Sequence, residues 1–216
     1  MIGKQARTSK LPRRAYQLRS RAESQKQTRR RIVEAAVALH QAIGPLATSV
    51  SELARRAGVT RLTVYRHFPG EEELLAACTG LFLSRHPPPD LDRWARLSDP
   101  WRRLERSLPE IYAWWRCVAP MARSVLRDAQ RAPGRIGAGF ARWMARVDGL
   151  LAEGFAPQGP LLRAALRHAV RFDTWDALTD SGALPDEAAI ALALALVRAA
   201  ARVRTGARTK TRMRRR

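Results

Sequence analysis

From residue 30 onward, apolar residues recur at spacings of three and four, the period of an amphipathic helix. Ile32, Ala36, Leu39 and Ile43 form one such stripe, which Gly44-Pro45 ends. Ser49 and Glu52 then stand at capping-box spacing, and Val50, Leu53, Ala54 and Ala57 predict a short second helix closing at Gly58. Thr60 is placed to cap a third helix, with Leu62, Tyr65 and Phe68 expected inward, until Pro69-Gly70 breaks it. The acidic run Glu71 to Glu73 suits the positive end of a fourth helix carrying Leu74, Leu75, Leu81 and Phe82, which His86 and three prolines terminate. Beyond them, helical stretches are predicted at about 100–117, 120–131, 135–155, 160–180 and 186–203, with Pro109 expected to kink or break the first. In the last, leucines alternate with alanine as in a strand. Alanine is the best helix former, and Asp186-Glu187 fit a first helical turn, so a helix is predicted. The expected fold class is all-α.

The second and third helices are separated by only a few residues around Gly58. A tight helix-turn-helix needs a small residue where the helices approach and a corner residue tolerating positive φ; Ala54 and Gly58 supply these, flanked by Val59 and Val64. With Leu62, Tyr65 and Phe68 as anchors, Arg61, Thr63, Arg66 and His67 are left nearer solvent. An arginine near the start of such a helix is suited to guanine, and a threonine to a thymine methyl or a phosphate. Thr48, Ser49 and the amides at the two helix starts are natural phosphate donors.

Charge supports a polyanionic partner. The 216 residues carry a net charge of +21. Residues 1–31 hold eleven basic side chains against Glu23 alone, and residues 202–216 hold eight with no acid, so the rest of the chain nets only +3. Both ends lack apolar periodicity and read as flexible arms, 1–28 and 204–216, supplying salt-sensitive, sequence-independent affinity. The 46% hydrophobic content is that of a chain that folds. Two cysteines, Cys78 and Cys117, make no disulfide framework, and the longest apolar run, 188–197, falls far short of the ~20 residues of a membrane span. A cytoplasmic protein without a membrane partner is expected.

The segment LARRAGVTRLTVYRHF, Leu53 to Phe68, followed by PGEEELL, resembles the DNA-binding domain of the TetR-like transcriptional regulators. Tyr65, His67, Phe68 and the following EEL fall in register with that family's Y-x-H-F-x-x-K-E-E-L pattern. The resemblance implies a DNA-binding unit over residues 29–86, with its motif at about 49–68, then a helical effector-binding and dimerisation domain over 87–203. It also implies a homodimer on a palindromic double-stranded operator. Tyr65 and His67 would contact phosphates, while Thr60, Arg61 and Thr63 would lie nearest the bases. Two positions depart from the pattern: Glu71 stands where a phosphate-contacting lysine is usual, and Leu62 replaces a frequent glycine.

In the second half, the stretch 188–197 is apolar on every side and needs cover on every side, which predicts a twofold interface of four helices from 161–178 and 187–201. Leu166, Val170, Ala189, Leu192 and Leu196 are its expected contacts. Tyr112, Trp114, Phe140, Trp143, Phe172 and Trp175 are candidate walls of a pocket for a small-molecule effector. Adjacent Trp114 and Trp115 cannot share one face. The four histidines are scattered, and no zinc spacing, phosphate-binding glycine loop or nucleophile motif is present, so neither metal, cofactor nor catalytic activity is expected. The reading is a repressor released by a small molecule; the alternative is a helical architectural nucleic-acid-binding protein without effector control.

Overall fold

A computed structural model describes residues 13–155 and 159–203; residues 1–12 and 204–216, which carry much of the expected arms, lie outside the described residues. Among the described residues there are ten α-helices and no strand. The chain divides into two compact units between Phe82 and Leu83, just short of the boundary expected after His86.

In the first unit, α1 spans Arg13–Ile43. Residues 13–28, expected to belong to a flexible arm, are therefore helical. The stretch has no glycine or proline and is rich in Arg, Ala and Gln, so propensity extends the helix, with residues 17–27 exposed. Ile32, Ala36 and Leu39 are buried as their spacing predicts, whereas Ile43 is exposed at the helix end. Gly44, at φ 94°, closes the helix by donating to the His40 carbonyl at 3.0 Å.

Helix α2 (Val50–Ala57) begins at Ser49, whose Oγ accepts the Glu52 amide at 3.1 Å. The Glu52 carboxylate binds Arg55 at 2.5 and 3.0 Å, which holds it below the usual carboxylate range. At the other end Gly58 takes φ 63°, ψ 42°; its amide binds the Arg55 carbonyl at 3.3 Å, and that of Val59 binds the Ala54 carbonyl at 3.0 Å. These are the paired bonds of a Schellman ending, and they turn the chain into α3 (Arg61–His67). A Cβ at Gly58 would meet only the Arg31 guanidinium at 3.9 Å. Gly58→Ala is therefore expected to cost about 1–2 kcal/mol through the left-handed backbone alone, read from denaturant unfolding. A loss several times larger would mean a steric conflict at the corner. Helix α4 (Glu71–Arg85) opens on its acidic trio and buries Cys78, whose Sγ lies 3.9 Å from the Val33 carbonyl of α1. Burial pushes that thiol up to about 12.

The second unit contains α5 (Leu91–Ala95), a short helix capped by Asp90 that periodicity did not predict. Helix α6 runs unbroken over Pro100–Arg131, through both Pro109 and Pro120, where two helices were expected. Each internal proline costs roughly 3 kcal/mol. Both sit on the exposed side, as do Glu105 and Arg116, whose carbonyls lose a donor. The opposite side buries Leu104, Leu108, Ile111, Tyr112 and Trp115 at helical spacing, which outweighs that cost. Helix α7 covers Ala138–Ala152. The predicted 160–180 helix is two, α8 (Pro160–Ala169) and α9 (Phe172–Thr179), and α10 covers Asp186–Arg202. The break has a cause in α6: the buried Tyr112 hydroxyl donates to the Ala169 carbonyl and the Trp115 indole to the Val170 carbonyl, each at 3.1 Å. These donors satisfy the carbonyls left free where α8 ends.

Candidate nucleic-acid interface

Helix α3 has seven residues and one buried side chain, Val64; Phe68, directly after it, is buried too. The anchors are thus Val64 and Phe68, four apart. Leu62 is 75% exposed and Tyr65 46% exposed, against the expectation that they face inward. In so short a helix, two spacings of apolar residues compete for one core contact, and packing chose the pair nearest α1 and α2. Arg61, Leu62, Tyr65 and Arg66 consequently form one exposed stripe at helical spacing. It presents two guanidinium groups, a phenol and an isobutyl group. Arg61 and Arg66 have no carboxylate partner among the described residues.

The hydroxyls expected at phosphates are differently engaged. Thr60 Oγ1 accepts the Thr63 amide at 3.2 Å and shares a proton with Thr63 Oγ1 at 2.9 Å, so one proton of the two hydroxyls stays available to a nucleic acid. Ser49 accepts only, leaving its own proton free to donate. Thr48 instead donates to the Gly44 carbonyl at 2.8 Å and closes α1, a structural use that its position before the capping serine did not reveal. His67 is half-buried; desolvation first, then the charges of Arg66 and Arg29, lower its pKa, so it is a neutral donor at pH 7.

Arg29, which the sequence alone counts only among the basic residues of 1–31, positions this helix. Its Nη1 donates to the His67 carbonyl at 2.8 Å, and its guanidinium lies 4.0 Å over the Phe68 ring. The helix C-terminus thereby gains both a carbonyl partner and a cation–π contact. Glu71, exposed in the first turn of α4, places a carboxylate where the resemblance has a cation.

This geometry coincides with a match of residues 32–78 to the family model described as bacterial regulatory proteins, tetR family. Residues 32–78 thus match the tetR family. Over 74 residues the chain is 42% identical to the uncharacterized HTH-type transcriptional regulator TtgW of Pseudomonas putida, covering 34% of this chain and 53% of that one. It is 40% identical over 74 residues to the HTH-type transcriptional regulator SrpR of Pseudomonas putida, covering 34% and 33%. The chain thus spans about half, and a third, of the length of these curated relatives. Among solved structures, NalD, the secondary repressor of the MexAB-OprM multidrug efflux pump in Pseudomonas aeruginosa, aligns with TM-score 0.52 and 23% identity over 82% of this chain and 97% of that one. FadR from Bacillus subtilis in complex with stearoyl-CoA aligns with TM-score 0.52 and 17% identity over 80% and 97%. At these identities the likeness concerns the fold alone, and it extends the all-helical architecture past the matched residues 32–78.

In the second unit, Trp114, Phe140, Trp143, Phe172 and Trp175 of the candidate pocket residues come together as a packed aromatic cluster. Trp114 lies 5.0 Å from Trp143, Phe140 6.2 Å from Trp143, and Phe172 5.5 Å from Trp175, while Trp115 bridges Phe140 and Phe172 at 5.5 and 5.3 Å. Tyr112, the sixth candidate, is fully buried with its hydroxyl spent on the Ala169 carbonyl. Trp115 faces inward, and Trp114 is half-buried with its indole donating to the His86 carbonyl at 3.1 Å. The Trp175 indole donates to Asp186, which Arg116 also binds at 2.6 and 2.8 Å. Arg116 keeps that carboxylate below its ordinary range.

Of the expected partner-face residues, Leu166, Val170 and Ala189 are buried within the protomer, because α8 and α10 pack on each other and α10 packs on α6. Leu192 and Leu196 remain 41% and 49% exposed. Leu161 and the alanines at 164, 188, 191, 195 and 199 extend this outer face of α8 and α10. Among the described residues no cluster of His, Cys, Asp or Glu is placed to hold a metal ion, and no helix is long and apolar enough to cross a membrane.

Proposed function

We propose that the chain is a cytoplasmic, homodimeric repressor that reads a palindromic duplex operator with α3 and releases it when a small molecule binds the second unit. The observation that carries this reading is the exposed Arg61–Leu62–Tyr65–Arg66 stripe, presented by a closed helix-turn-helix in a tetR-family domain. Arginine reads guanine bidentately, Leu62 offers an apolar contact to a thymine methyl, and Tyr65, Ser49 and His67 donate to phosphates. Thr60 and Thr63 lie at the start of the same helix, where a recognition helix meets base edges. Dimerisation is supported by the outer face of α8 and α10, whose leucines and alanines are left uncovered in the protomer. Effector control is supported by FadR, solved with stearoyl-CoA, and by NalD, a repressor. In this conformation the aromatic cluster is closed, so an effector entering there has to part the rings and favours a different state of the second unit.

Selection of bound fragments from random duplex DNA at moderate salt tests this directly. A palindrome with half-sites about one helical turn apart, or a multiple of it, is the expected product. An unenriched pool bound with equal salt dependence would replace the regulator with an architectural protein. Leu192→Glu with Leu196→Glu is expected to yield a folded monomer by sedimentation, with operator affinity much reduced. A dimer surviving both charges would move the interface elsewhere.

A further inference from the structure

The second unit holds a group of guanidinium side chains that neither the aromatic cluster nor the outer face of α8 and α10 uses. A half-open cleft of about 380 Å3 beside α5 and the first turns of α6 is lined by Arg93, Trp94, Leu97, Arg102, Arg106 and Glu110. Its single carboxylate is already engaged. Glu110 pairs with Arg106 Nε at 3.1 Å and accepts the Trp94 indole at 2.9 Å. Arg93 and Arg102 have no carboxylate partner among the described residues.

Behind Leu97 lies a further cation. The Arg103 side chain is buried, and all of its hydrogen bonds go to backbone carbonyls: Leu97 at 2.7 and 3.0 Å, Leu150 at 2.7 Å and Glu153 at 3.0 Å. These bonds engage four of its five donors without neutralising its charge. A buried charge lacking a counter-ion is costly, and its field is little screened. Arg93, Arg102 and Arg106 thus line the cleft with Glu110 as its one carboxylate, and Arg103 is buried beyond Leu97.

We propose that this cleft binds the anionic group of a small organic ligand, a phosphate ester or a carboxylate, through Arg93 and Arg102, with Leu97 against its apolar part. The volume falls in the range of about 300–1,000 Å3 typical of small-molecule sites. Guanidinium forks match either oxyanion bidentately. The inference goes beyond operator recognition, and its test needs no DNA.

Calorimetric titration of the full chain with phenyl phosphate and with benzoate, at an ionic strength held constant with sodium chloride, distinguishes the two sources of the anion. Saturable binding of at least one probe is expected, weakened roughly tenfold or more in Arg93→Gln/Arg102→Gln. Arg142→Gln, which removes another exposed arginine, on α7, should leave the affinity unchanged. Both cleft side chains are solvent-exposed, so the double variant should unfold no earlier than the parent without ligand. Equal affinity in the double variant and the parent, equal weakening by Arg142→Gln, or no saturable heat with either probe overturns the proposal.

Discussion

Trp115→Ala is expected to lower unfolding stability by about 3–5 kcal/mol, the largest single loss anticipated in the second unit. Three causes act together. The indole is buried and touches Trp114, Phe140 and Phe172, with ring centroids at 4.8, 5.5 and 5.3 Å, so truncation opens a cavity bordered by three rings. Rings cannot collapse into such a void without leaving their rotamers. The Val170 carbonyl also loses its donor at the end of α8. Trp115→Phe separates these effects: most of the apolar body stays, and the expected loss falls to about 1–3 kcal/mol, the cost of an unsatisfied buried polar group. Denaturant unfolding followed by circular dichroism measures both. Equal losses would assign the whole effect to the hydrogen bond, and a loss under about 1 kcal/mol for alanine would contradict the packed cluster.

Arg61→Ala is expected to erode discrimination between the selected operator and a site altered at the contacted base by about 1–3 kcal/mol, roughly five- to 150-fold. Arg61 is exposed and has no carboxylate partner among the described residues, so thermal unfolding should not move. That separation of affinity from stability distinguishes a reading residue from a structural one. Arg19→Gln with Arg21→Gln, on the exposed N-terminal part of α1, should instead weaken all duplexes alike and shallow the salt dependence. Competition binding at two salt concentrations separates the two. Uniform weakening by Arg61→Ala, or altered preference from the α1 pair, would reverse the roles of these arginines.

Arg29 shows how one residue joins these themes. Its charge was visible in the basic N-terminal segment, but its bond to the His67 carbonyl and its stacking on Phe68 arise only when α1 crosses α3. The hydroxyls divide in the same way. Thr60 is legible as a cap because a cap is a local device, while the bond from Thr48 to Gly44 is not, because that carbonyl belongs to the preceding helix end. The tetR-family match over residues 32–78 falls where local signals are densest.

By itself the sequence determined what acts within a few residues of backbone. The ends of α2 at Ser49 and Gly58, the start of α3 at Thr60, the acidic opening of α4 and the helical nature of α10 all follow from caps, turns and propensities that need no distant partner. Tertiary structure decided which faces those helices show. Packing buried Val64 and Phe68, turning Leu62 and Tyr65 outward, and buried Leu166, Val170 and Ala189 inside the protomer while leaving Leu192 and Leu196 uncovered. Burial along one side carried α6 through two prolines, and hydrogen bonds from Tyr112 and Trp115 fixed the break between α8 and α9. Arg103 drew its carbonyl partners from as far along the chain as Glu153, leaving an unneutralised charge behind the arginine cleft. The physical reason is common to all of these. Caps and turns are set by hydrogen bonds a few residues apart, whereas the buried face of a helix and the partner of a buried donor are set by side chains that only the folded chain brings together.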